Sequence, residues 1–363
     1  MRLLFALPGF HKYERGAEIA LLSVAAELAR TGDDVTVIGS GQARPDDPYK
    51  FIHASSIRRE NFEKFPFIPL FRSETVYEEA TFAANLALRY RPSDFDAVLT
   101  CSFPFTNMVL RRPVIGGKKP LNLFITQNGE WPAVSNDAEY RFFSCDGLVC
   151  TNPDYYETNK DRWNCALIPN GISIDRFKLR SGDKAAMGFP ANRKIVLMVS
   201  ALIPTKRVMD GIRSVAPMED AHLVVAGDGP MREQVKALAE ELLPGRFTQL
   251  TVTPDQMPTL YQSADVFLHM SLLESFGNVF PEAMACGLPI VGHDTPRLRW
   301  IVGDEEFLVD TENIPSVTKA LADALTAREA APAKISERAA SFAWSNIARQ
   351  YREYLTKLMS DQA

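Results

Sequence analysis

Short apolar runs rich in valine, isoleucine, leucine and phenylalanine alternate with longer amphipathic stretches, and they do so twice along this 363-residue chain. That alternation marks βαβ units, in which parallel strands are joined by crossover helices and covered on both faces. In the first half, Leu3 to Leu7, Asp34 to Ile38, Ala97 to Cys101, Asn122 to Thr126 and Gly147 to Cys150 read as strands, with helices at about 15–31 and 74–91. In the second, strands fall at Lys194 to Val199, His222 to Ala226, Gln249 to Val252, Val266 to His269 and Pro289 to Gly292, with helices at about 207–216, 230–242 and 279–286. The pattern predicts an α/β protein of two doubly wound, Rossmann-like domains facing one another across a cleft, the usual place for a ligand. The expected domains are 1–176 and 192–343, with a polar, turn-rich linker at 177–191 and a last amphipathic helix from Trp344 within 344–363.

Composition narrows the function classes. With 46% hydrophobic and 23% charged residues, wholesale disorder and fibrous architectures are excluded. No apolar run reaches the roughly 18 residues of a membrane span, and the apolar start, Leu3 to Leu7, is too short for a signal peptide. A net charge of −5 gives no basic surface for nucleic acid. The five cysteines (Cys101, Cys145, Cys150, Cys165 and Cys286) form no CxxC pair and sit mostly in apolar runs, which predicts reduced thiols and a cytoplasmic location. The five histidines lack ligand spacing, so no zinc site is inferred. Gly39-Ser40-Gly41 has no third glycine in place, which disfavours a dinucleotide dehydrogenase.

The chemistry concentrates in Ser271 to Pro289. Two carboxylates, Glu274 and Glu282, stand eight residues apart around a helix start, with Asn278 as the expected cap and Gly287 as the stop. Free amides at such a start favour an anion, and Gly277 lets a phosphate or hydroxyl approach the backbone. Each glutamate could then accept hydrogen bonds from a polyol; the alternative is a solvated Glu274 and a capping Glu282. Lys206, after a strand and at a helix start, is placed for phosphate.

The spacing Glu, seven residues, Glu, followed by Ala-Met-Ala-Cys-Gly-Leu-Pro-Ile-Val, resembles the donor-site signature of the family 4 retaining glycosyltransferases. Ile168 to Phe177, Val224 to Pro230, Ser263 to Leu268 and Gly16 to Gly32 resemble further segments of that family in order and spacing. The resemblance implies the GT-B fold, with the last helix crossing back to the N-terminal domain. It also implies retaining transfer of a hexosyl group from a nucleoside diphosphate sugar, UDP- or GDP-linked, to a glycan, lipid-linked or small-molecule acceptor in polysaccharide or glycolipid synthesis, with no metal or other cofactor. By the same resemblance Glu282 would bind the ribose hydroxyls and Glu274 the transferred sugar, while Phe276, Gly277, Asn278 and Val279 present backbone amides. Lys206 would neutralise the leaving diphosphate, and Gly16 would let the N-terminal loop close over the phosphates.

Two departures stand out. The family usually places an arginine five residues before the lysine; Ala201 stands there, and Arg207, where the family prefers glycine, is the candidate replacement. Many members place a histidine near the sugar in the segment where this chain has Gln127 and Asn128, which could hydrogen-bond sugar or acceptor but carry no proton. The rival readings are a nucleotide-sugar epimerase and a degenerate, non-catalytic nucleotide-sugar-binding or regulatory member. The segment from Ile57 to Arg72 mixes four basic side chains with four phenylalanines and reads either as a partly buried excursion or as a peripheral membrane or acceptor loop.

Overall fold

Leu3, Leu4, Phe5 and Ala6 are wholly buried in the first strand, and because alternate side chains point to opposite faces, both faces of that strand must be covered. The computed structural model describes residues 1–58, 61, 76–114, 117–127, 142–180, 182–272, 274–303, 307–327 and 332–361. They form two units, Met1–Gly171 with Trp344–Ala363, and Ile172–Ala343.

In the first unit the strands are β1 (Arg2–Ala6), β2 (Asp34–Gly39), β3 (Lys50–His53), β4 (Ala97–Thr100), β5 (Leu121–Thr126), β6 (Gly147–Cys150) and β7 (Cys165–Leu167). They make one parallel sheet in the order β3-β2-β1-β4-β5-β6-β7. Its helices are α1 (Gly16–Arg30), α2 (Val76–Arg89), α3 (Phe105–Leu110) and α4 (Pro153–Asn159). Leu21, Val24 and Leu28 of α1 cover one face, while Phe82 and Leu86 of α2 meet Leu4, Ile38 and Val98 on the other.

In the second unit β8 (Lys194–Val199), β9 (Ala221–Ala226), β10 (Phe247–Leu250), β11 (Val266–Leu268), β12 (Ile290–His293) and β13 (Phe307–Val309) form a second parallel sheet, ordered β10-β9-β8-β11-β12-β13. Helices α5 (Val208–Val215), α6 (Arg232–Leu242), α7 (Met257–Gln262), α8 (Val279–Ala285), α9 (Pro296–Val302), α10 (Ile314–Ala327) and α11 (Pro332–Ala340) clothe it. Ile212, Val235 and Leu321 pack on one face; Leu260, Met284, Ile301 and Ala339 pack on the other. The order of strands reverses between β8 and β11, and the crevice beyond their carboxyl ends is where a sheet of this kind takes its ligand.

The last helix, α12 (Trp344–Asp361), belongs to the first unit. Ile347, Tyr351 and Leu355 join the α1 core, Arg352 pairs with Asp33 at 2.6 Å, and the Tyr354 hydroxyl donates to the Asn164 carbonyl at 2.6 Å.

Two expectations are corrected. The boundary falls at Gly171/Ile172, and the segment read as a linker is tied into the second unit because Phe177 and Phe189 are buried in its core. The strand expected at 249–252 runs from Phe247 to Leu250, where its register with β9 sets it.

Candidate active site

Lys206 and His269 stand just beyond the carboxyl ends of β8 and β11, the two strands that flank the reversal. Lys206 ends a short 3-10 turn, Pro204–Lys206, that leads into α5. Its ammonium donates to Oε1 of Glu274. His269 Nε2 lies 2.9 Å from the same oxygen. An ionised carboxylate only accepts, so Nε2 carries the proton and donates it to Glu274.

The loop bearing Glu274 is held from two sides. Arg207 donates to the Met270 carbonyl at 3.3 Å, and Arg297, at the start of α9, donates to the backbone carbonyl of Glu274 itself. Burial alone would push the Glu274 carboxyl up, but the His269 hydrogen bond and charge, together with the Lys206 ammonium, outweigh it and bring the pKa down to about 2. This side chain is therefore ionised at any physiological pH.

Glu282 lies in the first turn of α8 and behaves in the opposite way. Burial pushes its carboxyl up to about 7, against the Tyr261 hydroxyl bond and the Arg176 charge, which both pull it down. Tyr261 donates to Oε2 at 2.8 Å.

The structure distributes the other expected site residues as follows. Phe276 is core, edge-on to Trp300 and near Phe342. Gly277 takes a φ of 77°, and Asn278 is already in the α-helical region with no side-chain cap bond, so the expected asparagine cap is corrected. Val279 opens α8 and is partly buried. Gly16 opens α1, and a Cβ added there would meet nothing within 4 Å. Gln127 exchanges amide hydrogen bonds with Asn170 at 2.9 and 3.2 Å, while Asn128 lies outside the described residues. So does almost all of the segment Ile57 to Arg72.

Arg207 is the chief difference. Its guanidinium donates to Asp210 at 3.0 Å, Met270 O at 3.3 Å, Thr311 Oγ1 at 3.1 Å and Thr311 O at 3.1 Å. It is a tie between the start of α5 and the ends of β11 and β13. Its φ of 51° lies in the left-handed region, which glycine enters without strain.

Sequence reasoning missed His269, Tyr261 and Arg297. Metal-ligand spacing was the wrong test for His269; its place at a strand's carboxyl end was the available signal. Tyr261 and Arg297 gave no local signal, because each reaches its glutamate through the fold. Among the described residues no three histidine, cysteine, aspartate or glutamate side chains are grouped to hold a metal ion, and no helix is long and apolar enough to cross a membrane.

A family model described as "Glycosyl transferases group 1" matches residues 180–342. A D-inositol 3-phosphate glycosyltransferase from Mycobacterium leprae is 32% identical over 372 residues, spanning 91% of this chain and 86% of that one. The chain belongs to the group 1 glycosyltransferases. An enzyme of the same name from Mycolicibacterium smegmatis is 30% identical over 218 residues, which span 56% of this group 1 glycosyltransferase and half of its relative. The crystal structure of Anabaena Alr3699/HepE in complex with UDP-glucose superposes with a TM-score of 0.70 at 18% identity, covering 98% of this chain and 100% of that one, and so shares the fold. These matches favour a transferase over the epimerase or non-catalytic readings, and the fold is of the GT-B type.

Proposed function

We propose that this glycosyltransferase moves a hexosyl group from a nucleoside diphosphate sugar, UDP- or GDP-linked, to an acceptor hydroxyl with retention of configuration and without a metal ion. The observation that carries the reading is the shared oxygen, Glu274 Oε1, on which an ammonium and an imidazole converge beside the strand reversal. An ammonium so placed compensates the charge of a departing diphosphate, the work a metal ion does elsewhere. The ionised Glu274 accepts hydrogen bonds from sugar hydroxyls, and Glu282 accepts them from the ribose.

In the step itself the bond from the anomeric carbon to the phosphate oxygen breaks, and its electron pair leaves with the diphosphate. The acceptor oxygen bonds the anomeric carbon from the same face, and its proton passes to the departing phosphate oxygen. This chain's part is charge compensation and positioning. UDP-glucose, named with the Anabaena structure, is the first donor to try, and inositol phosphate, named with the Mycobacterium leprae relative, the first acceptor.

The test is calorimetric titration in EDTA with UDP, GDP, ADP and dTDP, followed by turnover with the matching sugar nucleotide. One diphosphate should bind selectively, weakly in Glu282→Ala and normally in Glu274→Ala, while Glu274→Ala loses about 10²–10³ in kcat. Failure of every diphosphate to bind overturns the reading, and so does product of inverted configuration for its stereochemical part.

A further inference from the structure

His269 is 4% exposed, at the end of β11, five residues before the glutamate it touches. The Phe280 ring meets it edge-on at 4.8 Å, and Phe267 lies stacked at 6.2 Å, so the imidazole is wedged in the core with little freedom to turn. The two partners of Glu274 Oε1 are therefore unlike. Lys206 is a flexible chain ending in three N–H donors and can swing toward a phosphate; His269 is fixed. Oε2 of Glu274 has no hydrogen-bond partner among the described residues.

We propose that His269 is a positioning residue for transfer: it pins Oε1 of Glu274 so that Oε2 alone faces the donor sugar, and it keeps that geometry when Lys206 turns to the diphosphate. The inference rests on Glu274 being the carboxylate that meets the sugar. Without the imidazole, the carboxylate would follow the lysine, and a group that must be in place at the transition state would be free to rotate. The charged and titratable groups around Glu274 are Lys206 from the turn before α5, His269 from just after β11 and Arg297 from α9, with His293 of β12 lining the same small pocket.

Two variants separate positioning from packing. His269→Phe keeps the aromatic wedge and removes the donor; His269→Gln keeps an N–H that reaches about as far as Nε2. His269→Phe should bind UDP within about twofold of wild type, and kcat should fall about 10- to 100-fold, the weight of one charge-assisted hydrogen bond, with KM for the donor little changed. His269→Gln should restore kcat to within about fivefold. Equal kcat in His269→Phe and wild type overturns the proposal, as does a His269→Gln variant as slow as His269→Phe, or a loss of UDP affinity that matches the loss of kcat.

Acid unfolding supplies a readout that needs no substrate. Glu274 is held well below its ordinary pKa, so the stability it contributes is present above about pH 4.5 and is lost as pH falls toward 2. The acid-unfolding midpoint should rise in His269→Phe, and by less in His269→Gln, which keeps the hydrogen bond but not the charge. A wild-type chain that turns over no sugar nucleotide overturns the function proposed above, whereas a midpoint shared by His269→Phe and wild type overturns the role of His269.

Discussion

Tyr261 donates its hydroxyl to Oε2 of Glu282 at 2.8 Å, joining α7 to the first turn of α8. The bond favours the ionised carboxyl, burial disfavours it, and burial prevails, leaving the group poised at about 7. A carboxylate that receives ribose hydroxyls loses acceptor capacity on protonation. Affinity for the nucleoside diphosphate should therefore fall as pH drops through about 7. Tyr261→Phe removes a hydrogen bond to the charged form, so the midpoint should move up by about one unit. Calorimetry from pH 6 to 8.5 reads both midpoints, and a flat wild-type profile would remove Glu282 from the ribose.

The same poise has a consequence for stability. A carboxyl whose folded pKa is raised stabilises the fold fully below its unfolded value near 4.5 and loses that contribution as pH rises through about 7. Glu282→Gln keeps an acceptor for Tyr261 and removes the buried charge. It should match wild type in melting temperature at pH 5 and exceed it at pH 8 by the equivalent of about 1–3 kcal/mol. Melting curves at the two pH values check this; a gain of equal size at both would mean that the carboxyl is not the cause.

Arg207 combines a left-handed backbone with four side-chain hydrogen bonds to Asp210, Met270 and Thr311. Arg207→Ala should lose the tie and keep the backbone strain; Arg207→Gly should lose the tie and relieve the strain. The glycine variant should therefore be the more stable of the two by about 1 kcal/mol, and both should fall below wild type by about 2–4 kcal/mol. Urea unfolding of the three proteins decides it. If the alanine variant proves as stable as wild type but slow in turnover, Arg207 serves the phosphate after all.

The interior strands were legible because a parallel strand buried on both faces has to be a continuous apolar run, as in Val196 to Met198 or Leu223 to Val225. Three of the four edge strands were not. Lys50–His53, Cys165–Leu167 and Phe307–Val309 are short and at most half-buried, so their composition carries little pattern. Among the candidate site residues, Glu274, Glu282 and Lys206 stand out in the sequence because each lies where a strand gives way to a helix. Long-range partners were not legible: Thr311 lies 104 residues from the Arg207 it receives, and Tyr261 lies 21 residues from Glu282. Sequence spacing shows which side chains line a loop, and tertiary packing decides which of them are already engaged.

Gly227, at the end of β9, shows how tightly the lysine's turn is bedded. A Cβ added there would lie 1.9 Å from the carbonyl oxygen of Ser200, and because that atom is backbone no rotamer can relieve the clash. Gly227 N–H also donates to the Leu250 carbonyl at 3.0 Å, and Ser200 N–H to the Ala226 carbonyl at 3.1 Å, so neither side gives way freely. Gly227→Ala must therefore push the turn that starts at Ser200 and ends at Lys206 outward, lowering stability by about 1–3 kcal/mol and displacing the ammonium from Glu274. Gly245→Ala is the control, because that glycine has a φ of 69° but no neighbour within 4 Å, so its variant is strained by about 1 kcal/mol without moving anything. Turnover should fall at least tenfold in Gly227→Ala and hold in Gly245→Ala, measured at a temperature where both remain folded. Equal turnover in the two would show that Lys206 tolerates a shifted turn and that its position is set by Glu274 alone.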